Sequence, residues 1–196
     1  MAAAITKKQL KEMPVIPYEK IRDHVKTGQI FFSSGSYAFS GVIQKLTKSV
    51  WSHVAVIYKD EELGRVLVLE AEPAVGTRLI PLSKYLHDYK DKRRPYKGQI
   101  AIASLNLDLE KEKLNRGISF GLDELARPYD NFEIVRIMMR ILFHISKREK
   151  NRNYICSELV RDVFAKAGII MQYKDTYISP DNIWSDERVQ LKYRIL

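Results

Sequence analysis

The hydrophobic pattern divides the chain into a first half rich in strands and a second half rich in helices. Short apolar runs bounded by Gly, Pro or charged residues predict strands at 29–33, 53–58, 66–71, 77–80 and 99–105. Amphipathic spacing predicts helices at 18–25, 36–48, 108–125, 132–145 and 154–167, and residues 189–195 alternate like a closing strand. This order favours an α+β fold.

The length of 196 residues predicts a single domain over residues 1–196, with residues 1–16 as a loose N-terminal lead-in. One cysteine allows no intramolecular disulfide, and one Cys with four His excludes a Cys-rich zinc site. The N-terminal residues lack the apolar run of a signal peptide, and no run approaches the ~20 apolar residues of a membrane span. We therefore expect a cytoplasmic location, with a removed export signal as the alternative.

The formal net charge of +9 indicates either a solvated basic surface or attraction to an anionic partner. The basic run at 90–94 lies between Tyr89 and Tyr96, as in some nucleic-acid-binding patches, but a solvated loop is the simpler interpretation. We therefore expect nucleic acid not to be the partner and keep an anionic membrane surface open. The oligomeric state is not fixed by the sequence.

Cys156 is expected in the first turn of a helix that Asn153 caps. Unpaired N–H groups and the helix dipole at that position favour a thiolate and can stabilise an oxyanion, so Cys156 is a candidate nucleophile, expected to be partly exposed. The alternative is a core cysteine, because Leu159, Val160 and Val163 follow at helical spacing.

His53 and Glu70 are the candidate base and its orienting partner. His53 begins an apolar strand, and Glu70 places a charge inside the otherwise apolar run 66–71. A hairpin loop with an even number of residues, such as 60–63, would place Glu70 opposite His53 on one face, whereas an odd loop would put them on opposite faces. Glu72 shares that face and is the fallback. Taken alone, His53 is better explained as a strand-end histidine, and Glu70 fits an edge position that reaches water as well as it fits a buried partner.

Three segments in this order resemble the circularly permuted papain-like cysteine hydrolases of the NlpC superfamily, the YiiX/YebB-like group. The histidine precedes the cysteine, as in the permuted branch. The matching segments span residues 28 to 182: 28–32 followed by 51–54; 69–73 with Gly76; and 154–160 with 179–181.

The resemblance implies a papain-like fold in which a small antiparallel, β-barrel-like sheet packs against helices. It also implies Cys156 as nucleophile, His53 as base and Glu70 as orienting residue, with no metal or cofactor. The expected reaction is hydrolysis of an amide, ester or thioester in a small peptide- or lipid-like substrate. A lipid acyltransferase or phospholipase of the related lecithin retinol acyltransferase branch and a non-catalytic binding module remain alternatives.

The segment 132–145 is apolar around most of its circumference, apart from Glu133 and a polar stripe of Arg136, Arg140 and His144. A core helix with a narrow solvent edge explains this pattern most simply. The alternative is a helix that borders the substrate groove, binds an acyl chain or lies on a membrane surface.

Overall fold

A six-stranded antiparallel sheet forms the centre of the computed structural model, which describes residues 5–35, 41, 44, 49–72, 75–128, 154–173 and 178–196. The strand order is β4-β3-β2-β1-β5-β6. The strands are β1 (Ile30–Gly35), β2 (His53–Asp60), β3 (Arg65–Glu72), β4 (Gly76–Pro81), β5 (Gly98–Leu105) and β6 (Val189–Arg194). Each predicted strand is present, and the α+β class is confirmed. The sheet is open rather than barrel-like, because β4 and β6 form its two edges and do not pair within the described residues.

The helices cover both faces of the sheet. They are α1 (Lys7–Glu12), α2 (Tyr18–Ile21), α3 (Leu82–His87), α4 (Lys111–Asp123), α5 (Cys156–Lys166) and α6 (Pro180–Trp184). On one face, α5 and α6 bury apolar side chains against alternate residues of β2 and β3, among them Val54, Val56, Leu69 and Ala71. On the other face, α2 and α3 cover the intervening residues Ala55, Ile57, Val66 and Val68. The period of two along each strand therefore separates two cores.

Helix α5 is fixed by close packing against both the sheet and α4. Leu159, Val160, Val163 and Phe164 are fully buried. At Gly117 of α4, a Cβ atom would lie 2.4 Å from the Val163 carbonyl oxygen, so a glycine is needed for this close approach. Because α5 begins at Cys156, this packing determines where the cysteine lies relative to the sheet.

The N-terminal residues differ from the predicted loose lead-in. Thr6 caps α1 through a reciprocal pair of hydrogen bonds with Gln9, and Leu10 is only 1% exposed in the core. The Arg194 guanidinium donates to the Lys11 and Met13 carbonyls and so ties the end of α1 to β6. A short helix surrounded by lysines has too few apolar positions for its period to be recognised in the sequence.

Two predicted helices lie outside the described residues. The segment 132–145 does so entirely, and the segment 36–48 does so except for residues 41 and 44. No described helix has the length and apolar character needed to cross a membrane.

Candidate active site

Cys156 is the first residue of α5. The N-cap is Ile155 rather than the expected Asn153, which lies outside the described residues, and Glu158 reaches back to the Ile155 N–H at 3.4 Å. The sulfur is therefore at the positive end of an 11-residue helix, whose first N–H groups are not used by the helix itself. Cys156 is 7% exposed, which is more buried than the sequence led us to expect.

His53 is the first residue of β2, at the point where β2 leaves β3. The β2–β3 ladder runs from the pair Asp60–Arg65 to the pair Val56–Leu69, and His53 pairs only with Ser33 of β1 in the described ladders. The separation of the two strands leaves room for the imidazole, whose side chain is 14% exposed.

The His53 ring contacts Glu70 directly, with 2.6 Å between Nε2 and Oε2. The hairpin loop comprises the four residues between Asp60 and Arg65, so the even loop puts both side chains on one face, as predicted. It lies one residue later than the example 60–63, and the ladder extended by its own register would set His53 opposite Glu72. The contact with Glu70 is thus diagonal, which is within reach of long side chains on neighbouring strands.

Glu70 is completely buried and has three side-chain partners. Its Oε1 accepts a hydrogen bond from Arg78 Nε at 2.8 Å, and Arg78 Nη2 lies equally close without hydrogen-bond geometry. Its Oε2 accepts from the Tyr85 hydroxyl at 2.5 Å as well as from His53. Arg78 is the residue of β4 directly opposite Glu70, and Tyr85 comes from α3. Cross-strand pairing and a covering helix together satisfy the buried carboxylate.

The electrostatics of the three groups favour a charged pair. Burial alone would lower the pKa of His53, but hydrogen bonds to Cys156 and Glu70 raise the pKa to about 10. Burial alone would raise the pKa of Glu70, but His53, Arg78 and Tyr85 lower it below its ordinary value. The imidazole therefore tends to stay protonated beside the sulfur, and the carboxylate stays ionised despite its burial.

The fallback carboxylate, Glu72, has a different partner. Lys90 Nζ lies 2.8 Å from Glu72 Oε1, and no hydrogen bond joins Glu72 to His53 in the described residues. The structure thus brings Cys156, His53 and Glu70 together and leaves Glu72 beside them, at the end of the same strand.

Sequence reasoning missed Arg78 and Tyr85. A second hairpin could have indicated Arg78, because a buried Glu70 needs a cation and β4 is the next strand along the chain. Nothing in the local pattern around Tyr85 separates it from an ordinary core tyrosine.

The arrangement can support nucleophilic chemistry. Glu70 holds Nε2, so Nδ1 is the ring nitrogen that remains for Cys156. A thiol with an adjacent base, and a base held by a carboxylate, are the elements of acyl transfer through a covalent intermediate.

Comparison with solved structures identifies the fold independently of the site. Five chains match, among them a crystal structure described as metalloprotein YiiX from Escherichia coli O157:H7. The two chains are 18% identical, with a TM-score of 0.63 over 86% of this chain and 97% of that one. The word metalloprotein describes that protein; in the described parts of this chain no group of three or more His, Cys, Asp or Glu side chains could hold a metal ion.

No curated protein matches this sequence. A family model does, over residues 24–191, which include Cys156, His53 and Glu70. The family is described as permuted papain-like amidase enzymes, YaeF/YiiX, of the C92 family. This match covers most of the 196 residues. The chain therefore belongs to the permuted papain-like amidases of the YaeF/YiiX family.

Proposed function

We propose that this protein is a cysteine amidase in which Cys156 is the nucleophile, His53 the general base and Glu70 the residue that orients His53. The observation that carries the proposal is the chain of contacts from Cys156 through the His53 ring to the buried Glu70 carboxylate. Membership of an amidase family supports the choice of an amide over an ester or thioester.

The proposed reaction proceeds through an acyl-enzyme. The Cys156 thiolate, paired with the His53 imidazolium, attacks the amide carbon and forms an S–C bond. The first N–H groups of α5 can stabilise the resulting oxyanion. His53 then gives its proton to the leaving amine as the C–N bond breaks. Water, deprotonated by His53, attacks the thioester, and Cys156 leaves as the thiolate. Glu70 holds the ring in the orientation that both proton transfers need.

The alternative, that Cys156 is an ordinary core cysteine, does not account for its surroundings. A core cysteine needs neither an imidazole against its sulfur nor a fully buried carboxylate behind that imidazole. Burying such a carboxylate costs free energy unless its partners compensate. Here the Arg78 guanidinium and the Tyr85 hydroxyl donate hydrogen bonds to it. A binding module would gain nothing evident from this arrangement.

The test is covalent trapping of the acyl group on Cys156 with a p-nitrophenyl ester, combined with hydrolysis of a p-nitroanilide amide. We expect Cys156→Ala to abolish both, and Glu70→Gln to lower kcat by about 100-fold or more. Glu72→Gln is the matched carboxylate variant. Its fold reduction in kcat should be at least about ten times smaller than that of Glu70→Gln, since Glu72 does not contact His53. Hydrolysis that survives Cys156→Ala would contradict the proposal.

The cytoplasmic location stays a prediction that cell fractionation would check.

It also stays a prediction that the segment 132–145 borders the substrate groove and confers a preference for an apolar acyl group. Amides of increasing acyl length would test it.

A further inference from the structure

A basic loop lies at the end of the sheet that carries the candidate active site. Because neighbouring strands are antiparallel, the end of β1, the start of β2, the end of β3 and the start of β5 lie together at one end of the sheet. There Gly35 pairs with Gly98, and Ser33 pairs with His53. The loop 88–97 connects α3 to β5 and enters β5 at Gly98. The basic residues of the loop therefore lie at the same end of the sheet as His53.

Both acidic residues of this loop are paired with the same lysine. Lys84 of α3 lies 3.6 Å from Asp88 and also makes a close ion pair with Asp91. Lys90 is paired with Glu72 at the end of β3. Three further cations of the loop are exposed and have no acidic partner among the described residues: Lys92, Arg93 and Arg94. The loop thus presents a cluster of three exposed cations at the same end of the sheet as the site.

The loop is held in one shape by contacts with the site. The Tyr89 ring packs between the rings of Tyr85, at 5.0 Å, and Tyr96, at 4.9 Å. The Tyr89 N–H donates to the Arg94 carbonyl at 2.9 Å, and the Tyr96 N–H donates to the Tyr85 carbonyl at 2.8 Å. Tyr85 is the residue that donates to Glu70, so the same side chain supports the loop and the carboxylate.

The backbone of the loop is strained. Lys90, Asp91 and Arg93 have φ of 55°, 54° and 50°, in the left-handed region that residues with a Cβ atom rarely adopt. Such conformations persist where the surroundings determine them, and here the ion pairs of Lys90 and Asp91 do so. The backbone from which Lys92, Arg93 and Arg94 project is therefore held in a defined shape.

We propose that Lys92, Arg93 and Arg94 bind an anionic group of the substrate, a carboxylate or a phosphate, so that the enzyme prefers soluble amides that carry a negative charge near the scissile bond. Guanidinium groups match the geometry of both anions, and a cluster of like charge raises the local concentration of anionic molecules. This inference rests on the proposed function, because it assigns substrate preference to the same site.

The test compares two double variants that each remove one lysine and one arginine. Lys92→Ala/Arg94→Ala changes the loop and leaves the left-handed residues in place. Lys111→Ala/Arg116→Ala changes exposed positions on α4, which follows the opposite end of β5. The first readout is alkylation of Cys156 by iodoacetate, which is anionic, relative to iodoacetamide, which is neutral. The second is kcat/KM for succinyl-alanine p-nitroanilide relative to acetyl-alanine p-nitroanilide.

We expect both ratios to fall about three- to fivefold in the loop variant and to stay at the wild-type value in the α4 variant. At high salt, the ratios of the loop variant and the wild type should become equal. Equal ratios in all three proteins would overturn the proposal. Arg94→Gln alone, for which the same direction is expected, decides the case if the double variant does not fold.

The two proposals can fail separately. If neither anilide is cleaved by any protein, the proposed function fails, and the alkylation ratio still decides whether the loop recognises anions. If phosphatidylglycerol vesicles bind the wild type through the loop while neither ratio changes, the loop is a membrane contact and substrate recognition is contradicted.

Discussion

The two oxygens of the Glu70 carboxylate have different partners and, we infer, different tasks. Oε1 faces Arg78, which supplies a compensating charge, whereas Oε2 faces His53 and Tyr85. We therefore propose Arg78 and Tyr85 as positioning residues that act through Glu70, since both lower the pKa of a carboxyl whose pKa burial alone would raise.

Arg78→Gln should shift the acid limb of the kcat/KM profile to higher pH. Without the guanidinium the pKa of Glu70 rises, so a higher pH is needed to ionise it, and kcat should fall by about 10- to 100-fold, as for other residues that orient a functional side chain. Tyr85→Phe should shift the limb in the same direction by a smaller amount. Tyr89→Phe removes a neighbouring hydroxyl that does not bond Glu70, and its acid limb should coincide with that of the wild type. A limb that stays in place in Arg78→Gln would refute the role of Arg78.

At this scale, the sequence was informative where a residue contradicts its surroundings. Glu70 could be predicted because a charge stands inside a run of apolar strand residues. Arg78 and Tyr85 could not, because an arginine in a short strand or a tyrosine in a short helix is ordinary. Their importance follows only from Glu70, across a strand pair and from a covering helix.

At the scale of elements, the position of Cys156 depends on how closely α4 approaches α5. Gly117→Ala would bring a methyl group against the Val163 carbonyl, so α5 has to move, with Cys156 at its first position. We expect a loss of about 1–3 kcal/mol in the free energy of unfolding. The loss of kcat should exceed what this loss of stability alone would cause.

Gly168→Ala is the matched control for this prediction. Its φ of +83° makes alanine unfavourable, at a cost of about 1–2 kcal/mol, but no atom lies near the added Cβ. This variant should be destabilised while the alkylation rate of Cys156 stays unchanged. Equal losses of kcat per unit of lost stability in both variants, from urea unfolding and steady-state kinetics, would argue against a role for the α4 contact in positioning Cys156.

The elements themselves were largely predictable, but their ends were less so. Strands β2 and β3 were predicted within two residues, because β-branched residues alternate between two flanking loops. The start of α5 was predicted two residues early, because Asn153 is a good N-cap by residue type, whereas Ile155 has the N-cap geometry in the structure. Helix α1 was missed because its burial rests mainly on Leu10.

At the scale of the whole molecule, the sequence could not predict whether the sheet closes. Its strand order sets β5 beside β1, an arrangement that depends on contacts between distant parts of the chain. The strand signal gives each element and its burial pattern but not its neighbours, so an open sheet and a barrel were equally compatible with it. The permuted order of His53 and Cys156 indicated the fold more strongly than any one element did.

The stability of the whole protein should depend on pH through His53 and Glu70. The raised pKa of His53 stabilises the fold fully below its ordinary value of 6.5, and this contribution is lost as the pH rises toward about 10. The lowered pKa of Glu70 stabilises the fold above its ordinary value of 4.5, and this contribution is lost at more acidic pH. The two contributions are fully present together between pH 4.5 and 6.5.

A double-mutant cycle with His53→Gln and Glu70→Gln measures this dependence by urea unfolding. The coupling free energy should be largest at about pH 5.5, of the order of 1–3 kcal/mol, and should decline at pH 9. A coupling that is constant from pH 5.5 to 9 would contradict a raised pKa of His53 in the pair.

The most direct test of the central claim, that His53 activates Cys156, is the rate of alkylation of Cys156 by iodoacetamide as a function of pH. A free thiol reacts with a midpoint near pH 8.5. In the wild type, the His53 ring against the sulfur should activate Cys156, so that fast alkylation persists below pH 7. In His53→Ala, alkylation below pH 7 should become slow, and the profile should approach that of a free thiol. Superimposable profiles of the two proteins, both near the free-thiol midpoint, would contradict the account.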